Sequence, residues 1–282
     1  MTTLGAQLSS LLPTMFSTTP KRILPVLLAL FLPFLSPAQN LQKPFQECGI
    51  QGSTTVYDLR KNQWTYTNAQ DAERASLPAS TFKILNSLIL LEEKAVRDEH
   101  EVLPWDGQTR EVPAWNADTD MKNAFANSTV WFYVRLAQKI SKTKYQSYLK
   151  RCGYGNGKIR NGQGADFWNY GDFAISPKDQ IEFLRKFHEE NLPFRKENIQ
   201  KVKQMMVAQQ TPDYTLRGKT GLTSYGGTSS GWWVGYVETK GNVYFFATRL
   251  HKDQATKNEN FAACRKTITQ QILQQLAILP NL

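Results

Sequence analysis

Three cysteines and three histidines are all that the 282 residues hold. Three cysteines are too few for a disulfide scaffold, and they show no zinc-finger spacing. His100, His188 and His251 stand alone in the chain, which excludes a histidine-built metal site, and no metal is expected. Internal repeats, low-complexity tracts and Pro/Ser linkers are missing, so a solenoid or a bead string is excluded. Long Lys/Arg runs and aromatic RNA-binding signatures are missing too. No apolar stretch reaches the roughly 20 residues that cross a bilayer comfortably. What is present is ordinary: 41% hydrophobic, 12% aromatic and 21% charged residues. Disorder, collagen-like chains and coiled coils do not have that composition. The formal charge of +10 admits nucleic acid, an anionic surface or a small anion as partner.

The longest apolar run, Ile23 to Leu35, narrows that choice. It follows Lys21-Arg22 and precedes Ser36-Pro37-Ala38. A basic start, a short apolar middle and small residues at the end make a secretory signal, residues 1–38. The basic pair lies far from Met1, which makes Met15 a second candidate start. Removing residues 1–38 takes away Lys21 and Arg22 and no acid, leaving +8 on 244 residues, 39–282. Cys48 follows Phe45-Gln46-Glu47, which is not a lipobox, so no stable membrane anchor is expected. Export sets nucleic acid aside and permits disulfides. Cys48, Cys152 and Cys264 allow three single bridges, and the sequence does not choose among them.

The mature chain reads as strands, helices, strands and a helix. Gly52–Leu59 and Gln63–Thr67 are β-rich and flank a turn at Arg60-Lys61-Asn62. Ser80–Ala95 carries Phe82, Leu85, Leu88, Ile89 and Leu91 at helical spacing. Val130–Ile140, with Asn127 or Ser128 as cap, and Pro177–His188 are further helices. Trp232–Glu238 and Val243–Thr248 form a hairpin around Lys240-Gly241-Asn242. Glu259–Leu279 is an amphipathic helix carrying Phe261, Cys264, Ile268, Ile272 and Leu276. This order predicts one domain: an α/β lobe from residues 39–79 and 205–282, and a mainly helical lobe, 80–204, inserted between. A cleft between the lobes is the expected site.

Ser80-Thr81-Phe82-Lys83 sets a hydroxyl and an amine one helical turn apart, on one face. A neutral Lys83 amine there would take the serine proton and make a nucleophile. About one Ser-x-x-Lys is expected by chance at this length. The chain has three, and Ser141/Lys144 and Ser147/Lys150 read as solvated helix surface. Two later motifs single out the first: Ser128-Thr129-Val130, 48 residues on, and Lys219-Thr220-Gly221 before a Gly/Ser-rich turn. Ser-x-x-Lys, a middle Ser motif and Lys-Thr-Gly, in this order, make the set of serine β-lactamases and penicillin-binding proteins.

The set resembles class D (oxacillinase-type) serine β-lactamases in particular, over essentially the whole mature length. Val130 stands where class A enzymes have Asn. Tyr154-Gly155-Asn156, Asp166-Phe167-Trp168, Ile175-Ser176-Pro177 and Gly231-Trp232-Trp233-Val234-Gly235 are further landmarks of that class. Between Arg160 and Pro177 there is Asp166 and Asp172 but no Glu to activate a hydrolytic water, so another base is needed. The resemblance implies an antiparallel sheet flanked by helices, with an inserted helical lobe. It implies hydrolysis of penicillin-type β-lactams through a Ser80 acyl-enzyme, β-lactam resistance and a bacterial periplasmic location. It implies CO2, from bicarbonate, bound covalently to Lys83 as a carbamate, in a pocket of Phe82, Val130 and Trp168, and acting as general base for both acylation and deacylation. Ser128 and Lys219 would relay a proton, and the backbone N–H groups of Ser80 and Leu222 would form the oxyanion hole. Arg265 with Thr220 would hold the substrate carboxylate, Gly221 would also bind substrate, and Trp105, Val112 and Trp115 would form an apolar wall for the substrate side chain. Two other readings use the same motifs. A β-lactam-sensing receptor domain, acylated but not turned over, usually carries several membrane spans. A penicillin-binding transpeptidase usually carries Ser-x-Asn in its middle motif. Oligomeric state and substrate range are not legible in the sequence.

Overall fold

A computed structural model describes residues 40–160 and 164–280. The expected signal, residues 1–38, lies outside them. Among the described residues, no helix is long and apolar enough to cross a membrane. In chain order the elements are α1 (Lys43–Glu47), β1 (Gln51–Asp58), β2 (Gln63–Tyr66), α2 (Ala69–Glu73) and α3 (Lys83–Glu92). Then come α4 (Met121–Ala126), α5 (Val130–Ala137), α6 (Lys142–Cys152), α7 (Pro177–His188) and α8 (Lys196–Met205). The chain closes with β3 (Val207–Gln210), β4 (Tyr214–Tyr225), β5 (Thr228–Thr239), β6 (Val243–Asp253) and α9 (Phe261–Gln275). Single 3-10 turns occupy Ala79–Phe82 and Pro113–Trp115.

The six strands make one antiparallel sheet in the order β2-β1-β6-β5-β4-β3. The first hairpin therefore pairs with the last strand, and both ends of the chain build one sheet, as the strand order predicts. Central strands are apolar on both faces because both are covered. Trp232, Val234, Tyr236 and Phe245 face the larger core, with α3 and α7. Their neighbours Trp233, Val237 and Phe246 face the opposite way, toward Leu273 of α9. Period-2 alternation of the strands thus divides the Trp232-Trp233 pair between two cores. α7 falls in the segment read as the inserted helical lobe, yet it packs on the sheet. Arg185 lies over the Tyr57 ring, and His188 stands edge-on to Tyr236 and Phe245.

α3 is buried on every side from Lys83 to Leu91, which makes it the central helix of the domain. α6 begins at Ser141, whose hydroxyl accepts from the Lys144 N–H, and Lys144 pairs with Glu93. That Ser-x-x-Lys match is a helix cap and a surface ion pair. α5 differs from expectation: Thr129 occupies the cap position and makes no side-chain bond. Ser128 is unavailable as a cap because its hydroxyl is engaged elsewhere.

Of the three bridges the sequence allows, the structure contains Cys48–Cys264, with Cα atoms 6.3 Å apart. It ties the loop after α1 to the first turn of α9, whose cap residue Asn260 makes no side-chain bond. Cys152 is a buried free thiol, which desolvation pushes up to about 12. A bridge across 216 residues restricts the unfolded chain strongly. The double substitution Cys48→Ser/Cys264→Ser is expected to lower stability by about 2–5 kcal/mol. Urea unfolding of the oxidised protein should show it as an earlier midpoint, and Cys152→Ser should not reproduce that shift.

Candidate active site

The nucleophile candidate sits where the chain is locally forced. Ala79 adopts φ +51, a left-handed conformation that costs a non-glycine residue free energy. Its N–H donates to the Trp168 carbonyl at 3.0 Å, and the Thr81 hydroxyl donates to the Pro78 carbonyl at 2.7 Å. Gln180 of α7 donates to that same hydroxyl at 2.8 Å. These bonds hold the 3-10 turn that carries Ser80. One turn on, Lys83 is fully buried and its Nζ donates to Ser80 Oγ at 2.8 Å. No carboxylate pairs with Lys83 among the described residues. Burial alone lowers its pKa to about 7. The amine is thus neutral in a large fraction of molecules near neutral pH, as a proton acceptor must be.

One aromatic ring lies beside this amine, and the adjacent Phe82 belongs to an aromatic cluster. The Tyr133 ring centroid is 5.1 Å from Lys83 Nζ. Phe82 stacks on Trp168 at 5.4 Å, and Phe167 meets both edge-on. Trp168 is fully buried, and its indole N–H has no hydrogen-bond partner among the described residues. A buried N–H without an acceptor is uncommon in a folded protein. Phe82 is equally buried, and Val130, half-buried at the start of α5, lines the adjoining cleft.

The second lysine comes from the opposite wall. Lys219 on β4 donates to Ser128 Oγ at 2.5 Å and to its neighbour's carbonyl, Thr220, at 3.2 Å. Its pKa is held well below the usual lysine range, first by burial, then by the charges of Lys83 and Arg265. Ser128 adopts φ +56 between α4 and α5, which turns its hydroxyl toward β4. Alternation along β4 sends the next side chain, Thr220, to the other face. Arg265 waits there on α9, donating to the Gly221 carbonyl at 2.5 Å. Burial lowers the Arg265 guanidinium to about 10. Two glycines permit these approaches. A Cβ on Gly221 would stand 2.9 Å from the Pro78 carbonyl, and one on Gly231 would stand 3.0 Å from Arg265 Cδ.

Ser80, Ser128, Thr220, Gly221, Leu222 and Arg265 line one cleft of about 620 Å³, with Val112 and Trp115 on its rim. Lys83 and Lys219 lie buried behind the two serines. Trp105 is not among the lining residues; it packs against the large core, its indole N–H on the Gln108 carbonyl. Sequence reasoning missed Asn127, Asn169 and Tyr170, which also line the cleft. Asn169 and Tyr170 directly follow Trp168, so proximity to that landmark was the available signal. Leu222 and Tyr170 are half-exposed at the mouth. No group of three or more His, Cys, Asp or Glu is placed to hold a metal among the described residues.

The chain as a whole is similar to known proteins. Residues 51–274 match the family model of the penicillin-binding protein transpeptidase domain. β-Lactamase OXA-48 of Klebsiella pneumoniae is 39% identical over 84% of this chain and 87% of its own length. The probable β-lactamase YbxI of Bacillus subtilis is 39% identical over 78% of this chain and 81% of its own. Among solved structures, a class D β-lactamase from Sebaldella termitidis superposes with a TM-score of 0.82 at 42% identity, covering 85% of this chain and 96% of that one. The Nostoc class D enzyme gives 0.81 at 42% identity, covering 85% and 99%.

The Gly221 contact generates a test. Gly221→Val should push β4 away from the Pro78–Ser80 turn and leave the sheet paired. Labelling of Ser80 by a serine-directed acylating reagent should fall by about 10²-fold. Far-UV circular dichroism of the same variant should match the parent.

Proposed function

The chain belongs to the class D β-lactamase family, and on that premise we propose that it opens the β-lactam amide of penicillin-type antibiotics through an acyl-enzyme on Ser80. The observation that supports this reading best is the Lys83 amine, neutral near pH 7 and bonded to Ser80 Oγ. Ser80 Oγ attacks the lactam carbonyl as its proton leaves toward Lys83. The carbonyl oxygen gains negative charge in the cleft, where the N–H groups of Ser80 and Leu222 are assigned to receive it. The lactam nitrogen leaves as an amine and needs a proton. Ser128, hydrogen-bonded to Lys219, delivers it. Arg265 and Thr220 hold the substrate carboxylate, for which a planar guanidinium is suited. Gly221 lets the substrate approach that strand, and Val112 and Trp115 on the rim receive its apolar side chain.

The second half-reaction needs a base for water, and the chain supplies no Glu there. A carbamate on Lys83, formed from CO2 that bicarbonate supplies, would be the general base of both half-reactions, taking the Ser80 proton in acylation and the water proton in deacylation. The residues present fit such a group. The amine is neutral at the right pH, its surroundings are apolar, and the orphaned Trp168 indole N–H is an unused donor in the same aromatic cluster. Phe82, Val130 and Trp168 are the residues that would hold it. The enzyme acts, in this reading, after export to the bacterial periplasm, and confers β-lactam resistance there.

Steady-state assays of the chain with a penicillin should show turnover that rises on adding bicarbonate. A stable Ser80 adduct without turnover would instead identify a β-lactam sensor. Lys83→Ala should reduce deacylation by at least about 10²–10⁴-fold and leave an acylated species visible by mass spectrometry. The pH dependence follows from the amine. Only the neutral form reacts with CO2, and the lowered pKa places that form above about pH 7. With 13C-bicarbonate, a carbamate resonance should therefore grow as pH rises through about 7 and vanish below it. A Trp168→Phe variant should lose that resonance at bicarbonate concentrations that saturate the parent.

A further inference from the structure

A second cavity, of about 310 Å³, lies beside the catalytic cleft and is lined by none of Ser80, Lys83, Ser128 and Lys219. Its floor is one end of the sheet. Thr223, Ser230 and His251 stand directly opposite one another across β4, β5 and β6, so their side chains share a face. Its walls are the segments 74–77 and 171–174, joined by paired hydrogen bonds between Ser76 and Ile175 at 2.9 and 3.0 Å. The Thr223 hydroxyl donates to the Asn169 carbonyl at 2.8 Å, and that bond separates this cavity from the cleft.

The charges around it are unevenly satisfied. Arg249 is committed through its two terminal nitrogens, which pair with the buried Asp71 carboxylate and donate to the Arg74 carbonyl and to Ser76 Oγ, while its Nε has no partner among the described residues. Asp172, the one carboxylate among the lining residues, is held by Arg160 at 2.5 Å. Arg74 is exposed, and its guanidinium has no ion pair or hydrogen bond among the described residues. Ser230 is only 8% exposed, and its hydroxyl likewise has no partner among them. His251 is half-buried, with Nδ1 closed off and unpartnered, and burial favours its neutral form. The cavity thus combines an uncommitted guanidinium, a lining hydroxyl without a protein partner among the described residues and no free acid. Among the lining residues, Arg249 Nε and His251 Nδ1 are buried without a partner, a standing cost that a ligand reaching them removes. A planar guanidinium can meet a carboxylate or phosphate with two parallel N–H···O bonds.

We propose that this cavity is a second ligand site, binding a small molecule through one carboxylate or phosphate group held by Arg74 and Ser230. It is distinct from the carboxylate position assigned to Arg265, which lies in the cleft on α9.

The test titrates the chain with inorganic phosphate and, separately, with acetate, at constant ionic strength. Amide chemical shifts locate binding and calorimetry measures it. The expected result is saturable binding of at least one probe, with the largest shifts at Thr223, Ser230 and His251. The tighter probe identifies which oxyanion the site takes. Arg74→Ala and Ser230→Val should each weaken binding by about tenfold, the loss of one charge-assisted or buried hydrogen bond. Arg265→Ala should leave the affinity unchanged. Loss of binding in Arg265→Ala with full retention in Arg74→Ala would place the anion in the catalytic cleft and overturn the proposal. Absence of saturable binding by either probe would overturn it as well. Arg74 is exposed, so its substitution reports on the ligand and not on folding.

Discussion

Two lysine amines are buried without an acid to pair with either, and most of the active-site architecture is a consequence of that. Lys83 is fully buried and Lys219 is 4% exposed. Each reaches a serine hydroxyl, and no salt bridge involves either among the described residues. A buried ammonium without an anion is strongly disfavoured, so the group yields its proton instead. That fixes the chemistry available: two amines whose proton affinity burial lowers, Lys83 to a pKa of about 7, each within one hydrogen bond of a hydroxyl. The arrangement lasts only while water and counterions stay out. Phe82, Tyr133, Phe167 and Trp168 perform that exclusion, and the fully buried α3 gives them a rigid base.

Holding the two serines against their amines requires backbone that sequence preference does not favour. Ala79 and Ser128 both carry positive φ, and each departure costs on the order of 1–3 kcal/mol. The surroundings over-determine both. Ala79 hangs from the Trp168 carbonyl and faces Gly221 of β4 so closely that a Cβ there would stand 3.2 Å from the Ala79 Cβ. Around Ser128, the Thr129 N–H returns to the Ala124 carbonyl at 2.9 Å, and the Trp115 indole N–H caps the Asn127 carbonyl at 2.9 Å. The nucleophile turn therefore depends on a strand more than a hundred residues away, and the sheet must be complete before the site exists.

That dependence explains what was legible in the sequence. Strands β1, β2, β5 and β6 and helices α7 and α9 could be read because pattern and turn chemistry are local. Asn242, at the β5–β6 turn, does as its position predicts: Thr239 bonds back to its carbonyl. The meeting of Ser80 with Lys83 and of Ser128 with Lys219 could be read because the motif spacing is fixed by the fold class. Cys48–Cys264 could not, because nothing local relates residues so far apart. The cap of α5 was misplaced for a similar reason: Ser128 has a capping side chain, but a partner 91 residues away, Lys219, engages it. Asn169 and Tyr170 went unread because a cleft wall built from a loop carries no periodicity. Trp105 is the converse case, an aromatic near the cleft in sequence that packs into the core.

One strand finally links recognition to proton handling. Lys219 and Thr220 are adjacent on β4, so their side chains leave opposite faces, one toward Ser128 and one toward Arg265. The two faces remain coupled through the field. The Arg265 charge contributes to holding Lys219 below the usual lysine range. A substrate carboxylate seated on Arg265 would offset that cation and raise the proton affinity of Lys219. The amine would then be better able to hold a proton, and to pass it through Ser128, with substrate in place than without. Helix α9, which carries Arg265, is fixed at its first turn by the disulfide one residue away at Cys264. The distance over which this field acts is therefore set by covalent structure.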